Sequence, residues 1–269
     1  MTNPPAATVV AGLDHEAYLR LDDVSVTYSG GMALAATTLS VAEGQFVSIV
    51  GTSGCGKSTL LNAVAGLIRP TTGRIRLDGR RVTGPGRERG MVFQQYSLFP
   101  WLTAAQNVAF GIGDAARSRA ERRHQARDLL HEVGLDRHGD AYPDELSGGM
   151  QQRVAIARMI ASRPKMMLMD EPLGALDALT RRSMQGLLER VWRRQLTTAL
   201  LVTHDIAEAV LLSDRVIVMA DRPGRVVLDL TVGLPRPRDH RVGESELYRG
   251  LVRQVYERIY DGPAAAADL

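Results

Sequence analysis

The sequence predicts an α/β fold: a parallel sheet covered on both faces, interrupted by an inserted helical lobe. Three observations predict it. Short apolar segments of the buried-strand type alternate with helical patterns. A block at about 96–160 breaks that rhythm and is mostly helical by periodicity. The chain has 269 residues, enough to bury a sizeable core, and no internal repeat that would suggest a solenoid.

Each element follows from its residues. Segments 18–28 (YLRLDDVSVTY) and 38–50 (TLSVAEGQFVSIV) read as strands, since apolar and β-branched residues recur there and Glu43-Gly44 supplies a turn. After the glycines of 51–56, LLNAVAGLI (60–68) reads as a helix closed by Arg69-Pro70 and Gly73. RIRLDGRRV (74–82) is a strand–turn–strand, and RGMVFQ (89–94) a buried strand. Residues 103–163 are helical, with a stop at Gly134 and a loop at Tyr142-Pro143. PKMMLMDEP (164–172) and TTALLVTH (197–204) are strands of the fully buried type. TRRSMQGLLERVWRRQL (180–196) is an amphipathic helix, IAEAVLLS (206–213) a helix and DRVIVMA (214–220) a strand. The tail from Pro235 is rich in proline and arginine and ends in PAAAADL, read as frayed.

Composition narrows the class. Hydrophobic residues make up 45% and charged residues 23%, as in ordinary soluble domains. No run of 18 apolar residues exists, so no membrane span is expected. MTNPPAATVVAGLDHE lacks a basic start followed by an apolar core, so no signal peptide is expected. Cys55 is the single cysteine, which excludes an internal disulfide and fits a cytosolic chain. The net charge is +3, and the arginines are interleaved with acids, as in RSRAERRHQARD. That is the pattern of a solvated helix face, so nucleic acid is not expected as a partner.

Lys57 and Lys165 are the only lysines among 33 basic residues. Lys57 falls in GTSGCGKST, which matches G-x-x-x-x-G-K-[ST] after strand FVSIV. Glycines at 51, 54 and 56 let the backbone wrap an anion, and the helix that follows adds its positive end. The N–H groups of Thr52, Ser53, Cys55 and their neighbours can then point inward. Lys57 is a compact charge on a flexible stem that reaches the β- and γ-phosphates, which a planar arginine would do less well. Ser58 can offer a hydroxyl to Mg²⁺, and Thr59 can cap the helix or touch the α-phosphate. The Cys55 thiol is either activated by the helix end or merely a small side chain tolerated there.

Asp170 and Glu171 emerge where MMLMDEP ends, the end of a strand at which ligands bind in open α/β sheets. One carboxylate suits the hydrated metal and the other the attacking water; Asp170 is assigned to the metal and Glu171 to the water. His204 ends TTALLVTH and can bond the γ-phosphate or steady the water. The other five histidines lie in polar contexts and read as surface residues. Tyr28 either stacks on adenine or packs at an edge. In ELSGGMQQR, Ser147 is a good N-cap, and Gly148-Gly149 expose N–H groups at a helix start. This is either an ordinary capped helix or a second anion site, which would serve a nucleotide held by another copy.

GTSGCGKST, the glutamine of VFQQ, LSGGMQQR, MMLMDEP, GALD and VTHD occur in this order. From Leu19 to Gly224 the chain resembles the ATPase subunits of ABC transporters. The resemblance implies a P-loop NTPase (RecA-like) core with a parallel sheet, an antiparallel β subdomain and an inserted α-helical subdomain. It implies an ATPase domain at 18–235 (helical subdomain about 96–160), after an N-terminal extension at 1–17 and before a C-terminal helical tail at 236–269. ATP and Mg²⁺ are the implied ligands. Tyr28 is the implied adenine-stacking aromatic, and Gln94 reaches the metal or the water and couples to a membrane partner. Leu146, Ser147, Gly148, Gly149, Met150 and Gln151 contact the opposite subunit's ATP. Glu171 is the general base, the Gly174–Asp177 loop crosses the dimer axis, and His204 is the γ-phosphate switch. Met150 stands where the family often has glutamine; the backbone donors are unaffected.

The resemblance also implies partners: a second copy arranged head to tail, transmembrane permease subunits and, indirectly, a periplasmic or lipoprotein substrate-binding protein. The subunit would sit peripherally on the cytoplasmic face of the inner membrane. YSLFPWL (96–102) follows Gln94, and three of the four phenylalanines lie between 93 and 110. Such a cluster suits a groove for a partner's helix or the core of the helical lobe. With its flanks, and with SDRVIVMADRPGR and LPRPRD, it is similar to the nitrate/sulfonate/taurine importer branch. Taurine or another sulfonate is the first expectation; nitrate, cyanate or bicarbonate is the second. A soluble ABC ATPase of DNA repair or translation is the reading from another class. Those chains usually carry two cassettes or a long coiled-coil insertion, and neither is present.

Overall fold

The computed structural model describes residues 17–95, 97–113, 118–195, 197–220 and 222–260. The strands are β1 (Ala17–Tyr28), β2 (Gly31–Ala42), β3 (Phe46–Gly51), β4 (Thr72–Leu77), β5 (Arg80–Arg81), β6 (Arg89–Val92), β7 (Met166–Asp170), β8 (Thr198–Val202), β9 (Arg215–Ala220) and β10 (Arg225–Thr231). The helices are α1 (Lys57–Ala65), α2 (Ala104–Ile112), α3 (Arg119–Glu132), α4 (Gly148–Ala161), α5 (Ala178–Gln195), α6 (Ile206–Leu212) and α7 (Glu246–Tyr260). The N-terminal extension (apart from Ala17), Tyr96 and the PAAAADL end lie outside the described residues.

Two sheets form. One has the order β2-β1-β4-β5 and is antiparallel. The other has the order β10-β9-β3-β8-β7-β6 and is parallel except for β10 on β9. The parallel strands are apolar because both their faces are covered. Period-two alternation divides them. Phe46, Met167, Met169, Ala199 and Leu201 join the core under α4, α5 and the helical lobe. Val47, Ile49, Met166, Leu168, Leu200 and Val202 face α1 and the antiparallel sheet.

Three boundaries differ from the sequence reading. β2 begins at Gly31, well before residue 38. GMALAATT has weak strand propensity, but pairing with β1 (Met32 opposite Thr27, Leu34 opposite Val26) supplies what propensity lacks. α1 ends at Ala65 and does not run on to Ile68. Gly66 turns left-handed (φ 79°) and its N–H bonds back to Ala63 and Asn62. The sequence reading places no strand at β10. It is an edge strand with partly exposed side chains, and its pairing to β9 defines it. The helical tail α7 docks on the main domain: Leu251, Val255 and Ile259 share a core with α6 and β9.

Candidate active site

A cleft of about 510 Å³ lies at the carboxyl ends of β3 and β7, beyond the end of β8. Gly51, Ser53, Gly54, Gly56, Lys57, Ser58 and Thr59 form one wall; Gln94, Glu171 and His204 face them. The loop's shape demands glycine. A Cβ on Gly51 (φ 153°) would stand 1.9 Å from the Met219 carbonyl oxygen, and one on Gly56 (φ 84°) would stand 2.7 Å from that of Ala33. Lys57 is buried, and its Nζ donates to the Gly51 and Thr52 carbonyls at 2.9 and 2.8 Å. The ammonium is thus held on the loop, next to where an anion would sit. Thr52 is exposed and Thr59 half-buried. The Cys55 side chain is buried in the core beneath the loop, which fits a tolerated small side chain.

Ser58 Oγ donates to Asp170 Oδ1 at 3.1 Å. Burial pushes the Asp170 carboxyl up, Glu171 adds to this, and Ser58 and Lys57 oppose it. A serine hydroxyl beside a desolvated carboxylate is a hard-oxygen pair suited to Mg²⁺, which also relieves the buried charge. Ser58 and Asp170 are therefore the residues that would hold the metal.

Glu171 sits just past β7 with φ 46°, an uncommon value for a residue with a side chain, and its N–H donates to Val202 O at 2.9 Å. Its Oε2 is 3.2 Å from Gln94 Nε2 and 3.2 Å from His204 Nδ1. Strand ends and the segment after β6 thus bring Gln94, Glu171 and His204 to one carboxylate oxygen. His124, His131 and His138 are exposed, as expected.

Tyr28 ends β1, half exposed, and does not line the cleft; Ala33 of β2 does, and nothing in its sequence context signals it. Leu146–Gln151 lie on the helical lobe, outside the cleft. Ser147 caps α4, its Oγ accepting from Met150 N–H, and Gly148 and Gly149 open the helix. Met150 packs on the lobe core, and Gln151 Nε2 donates to the Pro143 and Leu146 carbonyls. Both side chains are therefore engaged within the lobe, and backbone N–H groups are what this helix start offers. Asp177 Oδ1 accepts from the N–H groups of Leu179 and Thr180, so its carboxylate caps α5; it is held low by the Thr180 side chain first and then by those N–H groups.

The aromatic patch is built as well. Phe99 packs against Trp101 in a tilted arrangement and against Phe110 edge to face, and the latter two are largely exposed. Sequence reading missed what holds it. Asn107, fully buried in α2, accepts from Phe99 N–H and donates to the carbonyls of Phe99, Leu102 and Thr103. Arg158 covers the Phe99 ring and donates to Ser97 O.

A family profile described as ABC transporter matches residues 34–174. The chain is 50% identical over 222 residues to the nitrate import ATP-binding protein of Synechocystis, covering 81% of this chain and 84% of that one. It is 48% identical over 220 residues to the bicarbonate transport ATP-binding protein of Synechococcus elongatus, covering 80% of this chain and 33% of that longer one. A dimeric post-hydrolysis structure of the ATP-binding cassette MJ0796 with ADP and phosphate superposes with a TM-score of 0.75, at 36% identity, over 81% of this chain and all of that one. The glycine loop, the Ser58–Asp170 pair, the cluster around Glu171 and these similarities agree: the chain belongs to the ABC transporter family, as an ATPase cassette that binds ATP with Mg²⁺.

Proposed function

We propose that this cassette powers import of a small anion through a membrane permease, working as a head-to-tail pair of copies. The observation that carries the reading is the similarity, at about half of all positions, to a nitrate import ATP-binding protein across most of both chains. Nitrate and bicarbonate therefore stand ahead of taurine, which rests on sequence resemblance alone. The helix start at Gly148-Gly149 offers N–H donors outside its own cleft, which suits a triphosphate held by the second copy. In that arrangement Lys57 and the glycine loop bind the phosphates, Ser58 and Asp170 hold the metal, and Glu171 orients water with Gln94 and His204 beside it. The Phe99–Trp101–Phe110 surface receives a helix of the permease, which places the subunit on the cytoplasmic face of the membrane. A binding protein on the far side delivers the solute.

The test is ATP hydrolysis by the chain with its co-purified permease in lipid, with binding protein loaded in turn with nitrate, bicarbonate and taurine. Stimulation by one loaded form identifies the solute. No membrane partner and no stimulation by any anion would return the chain to the soluble ABC ATPases.

A further inference from the structure

Asp205-Ile-Ala-Glu208 has the spacing of a capping box, in which the fourth residue folds back onto the cap's N–H. Half of the box forms: Asp205 Oδ1 accepts from Glu208 N–H at 3.0 Å. The other half does not. The Asp205 N–H donates to Thr203 Oγ1 at 3.1 Å, and the Glu208 side chain turns into the protein. Glu208 is only 4% exposed. Its Oε1 accepts from Gln185 Nε2 of α5 at 3.2 Å, while its own N–H, bonded to Asp205, ties it through the Asp205 N–H to Thr203 Oγ1. Burial pushes this carboxyl up, against the opposing pull of Thr203, Gln185 and the Arg181 charge. A buried carboxyl is costly, and an exposed cap was open to the same residue.

What Glu208 joins gives that burial a purpose. Thr203 directly precedes His204, and its N–H is fixed to Ile49 O of β3. Gln185 lies one turn beyond Arg181 on α5. Arg181 donates to the Leu176 and Leu173 carbonyls, at 3.0 and 3.4 Å, and so grips the loop that ends at Asp177. We propose that Glu208 is a positioning residue: it braces the turn that carries His204 against α5 and the 173–177 loop, and so keeps His204 on Glu171. This rests on His204 and Glu171 acting together in hydrolysis.

The experiment compares steady-state ATP hydrolysis and nucleotide binding of the full chain with those of Glu208→Gln, Glu208→Leu, Gln185→Leu and His204→Ala. Glutamine keeps an acceptor for Gln185, so Glu208→Gln should stay within about threefold of the parent kcat. Leucine fills the space without an acceptor, so Glu208→Leu should lose about tenfold or more in kcat with KM within about threefold. A folded Glu208→Leu at full kcat, or one whose loss lies in KM, overturns the proposal. If leucine prevents folding, Gln185→Leu decides: it removes the same bond from the α5 side, and full kcat there is equally fatal. His204→Ala separates the two readings. Full rate there sinks the assignment of the hydrolytic pair and this proposal with it. A dead His204→Ala beside a fully active Glu208→Leu sinks this proposal alone.

Discussion

At the scale of single residues, the site works because unfavourable local states are compensated by neighbours. Glu171 holds a left-handed backbone and still points one oxygen at both Gln94 and His204. Glu171→Gln should bind ATP normally and hydrolyse it at least about a hundredfold more slowly, since the group that orients water is lost. Single-turnover hydrolysis measured beside nucleotide affinity checks both halves. Asp170 is the opposite case, a carboxyl that burial holds up. Its proton is bound more tightly in the folded chain, so stability is highest below the unfolded value of about 3.9 and falls as pH rises through the window up to the folded value. At neutral pH Asp170→Asn should therefore melt higher, by roughly 2–4 °C per kcal/mol relieved, while losing Mg²⁺-dependent hydrolysis. Melting curves against pH, without nucleotide, should show the gain vanishing in acid; a variant that melts lower at pH 7 would contradict it.

At the scale of elements, the lobe helices shape the surface offered to a partner. α2 approaches α4 closely: a Cβ on Gly111 would stand 2.2 Å from the Arg158 carbonyl oxygen. Asn107, four residues earlier, folds segment 99–103 over the end of α2 with four hydrogen bonds. Asn107→Ala leaves buried backbone groups unpaired, at a cost of about 1–3 kcal/mol. Because the cradle lies elsewhere, the variant should keep basal ATP hydrolysis and lose stimulation by the permease. Chemical denaturation together with hydrolysis in lipid would measure both, and preserved coupling would mean that the patch is not the docking surface.

At the scale of the whole molecule, the glycine loop and the Ser58–Asp170 pair lie at one cleft, while the second glycine pair lies on a different lobe. Gly148→Asp tests whether that pair serves another copy. Aspartate is favourable in the first turn of a helix, so the fold and the chain's own cradle should be untouched. A carboxylate there would repel an incoming triphosphate. With hydrolysis blocked by Glu171→Gln, ATP should bring the parent to twice its mass in sedimentation, and adding Gly148→Asp should leave it monomeric. An equal shift in both would remove the helix start from the interface.

The sequence by itself determined the chemistry: GTSGCGKST, MMLMDEP and VTH carry local patterns whose geometry is set within a few residues. A glycine loop entering a helix, or a carboxylate leaving a buried strand, needs little from the rest of the chain. The alternation of buried strands with helices likewise made the parallel sheet legible. Only the tertiary structure decided where β2 starts, that β10 exists, and that α7 docks on β9 and α6, because pairing and burial supply those energies while propensity does not. It also decided which face of a polar residue matters. Asn107 and Glu208 carry no signal of their role in the sequence, yet both are buried, Asn107 with four hydrogen bonds to the 99–103 segment and Glu208 with one to Gln185 of α5. A single sequence cannot show this, since what buries a polar group is the packing of elements far along the chain.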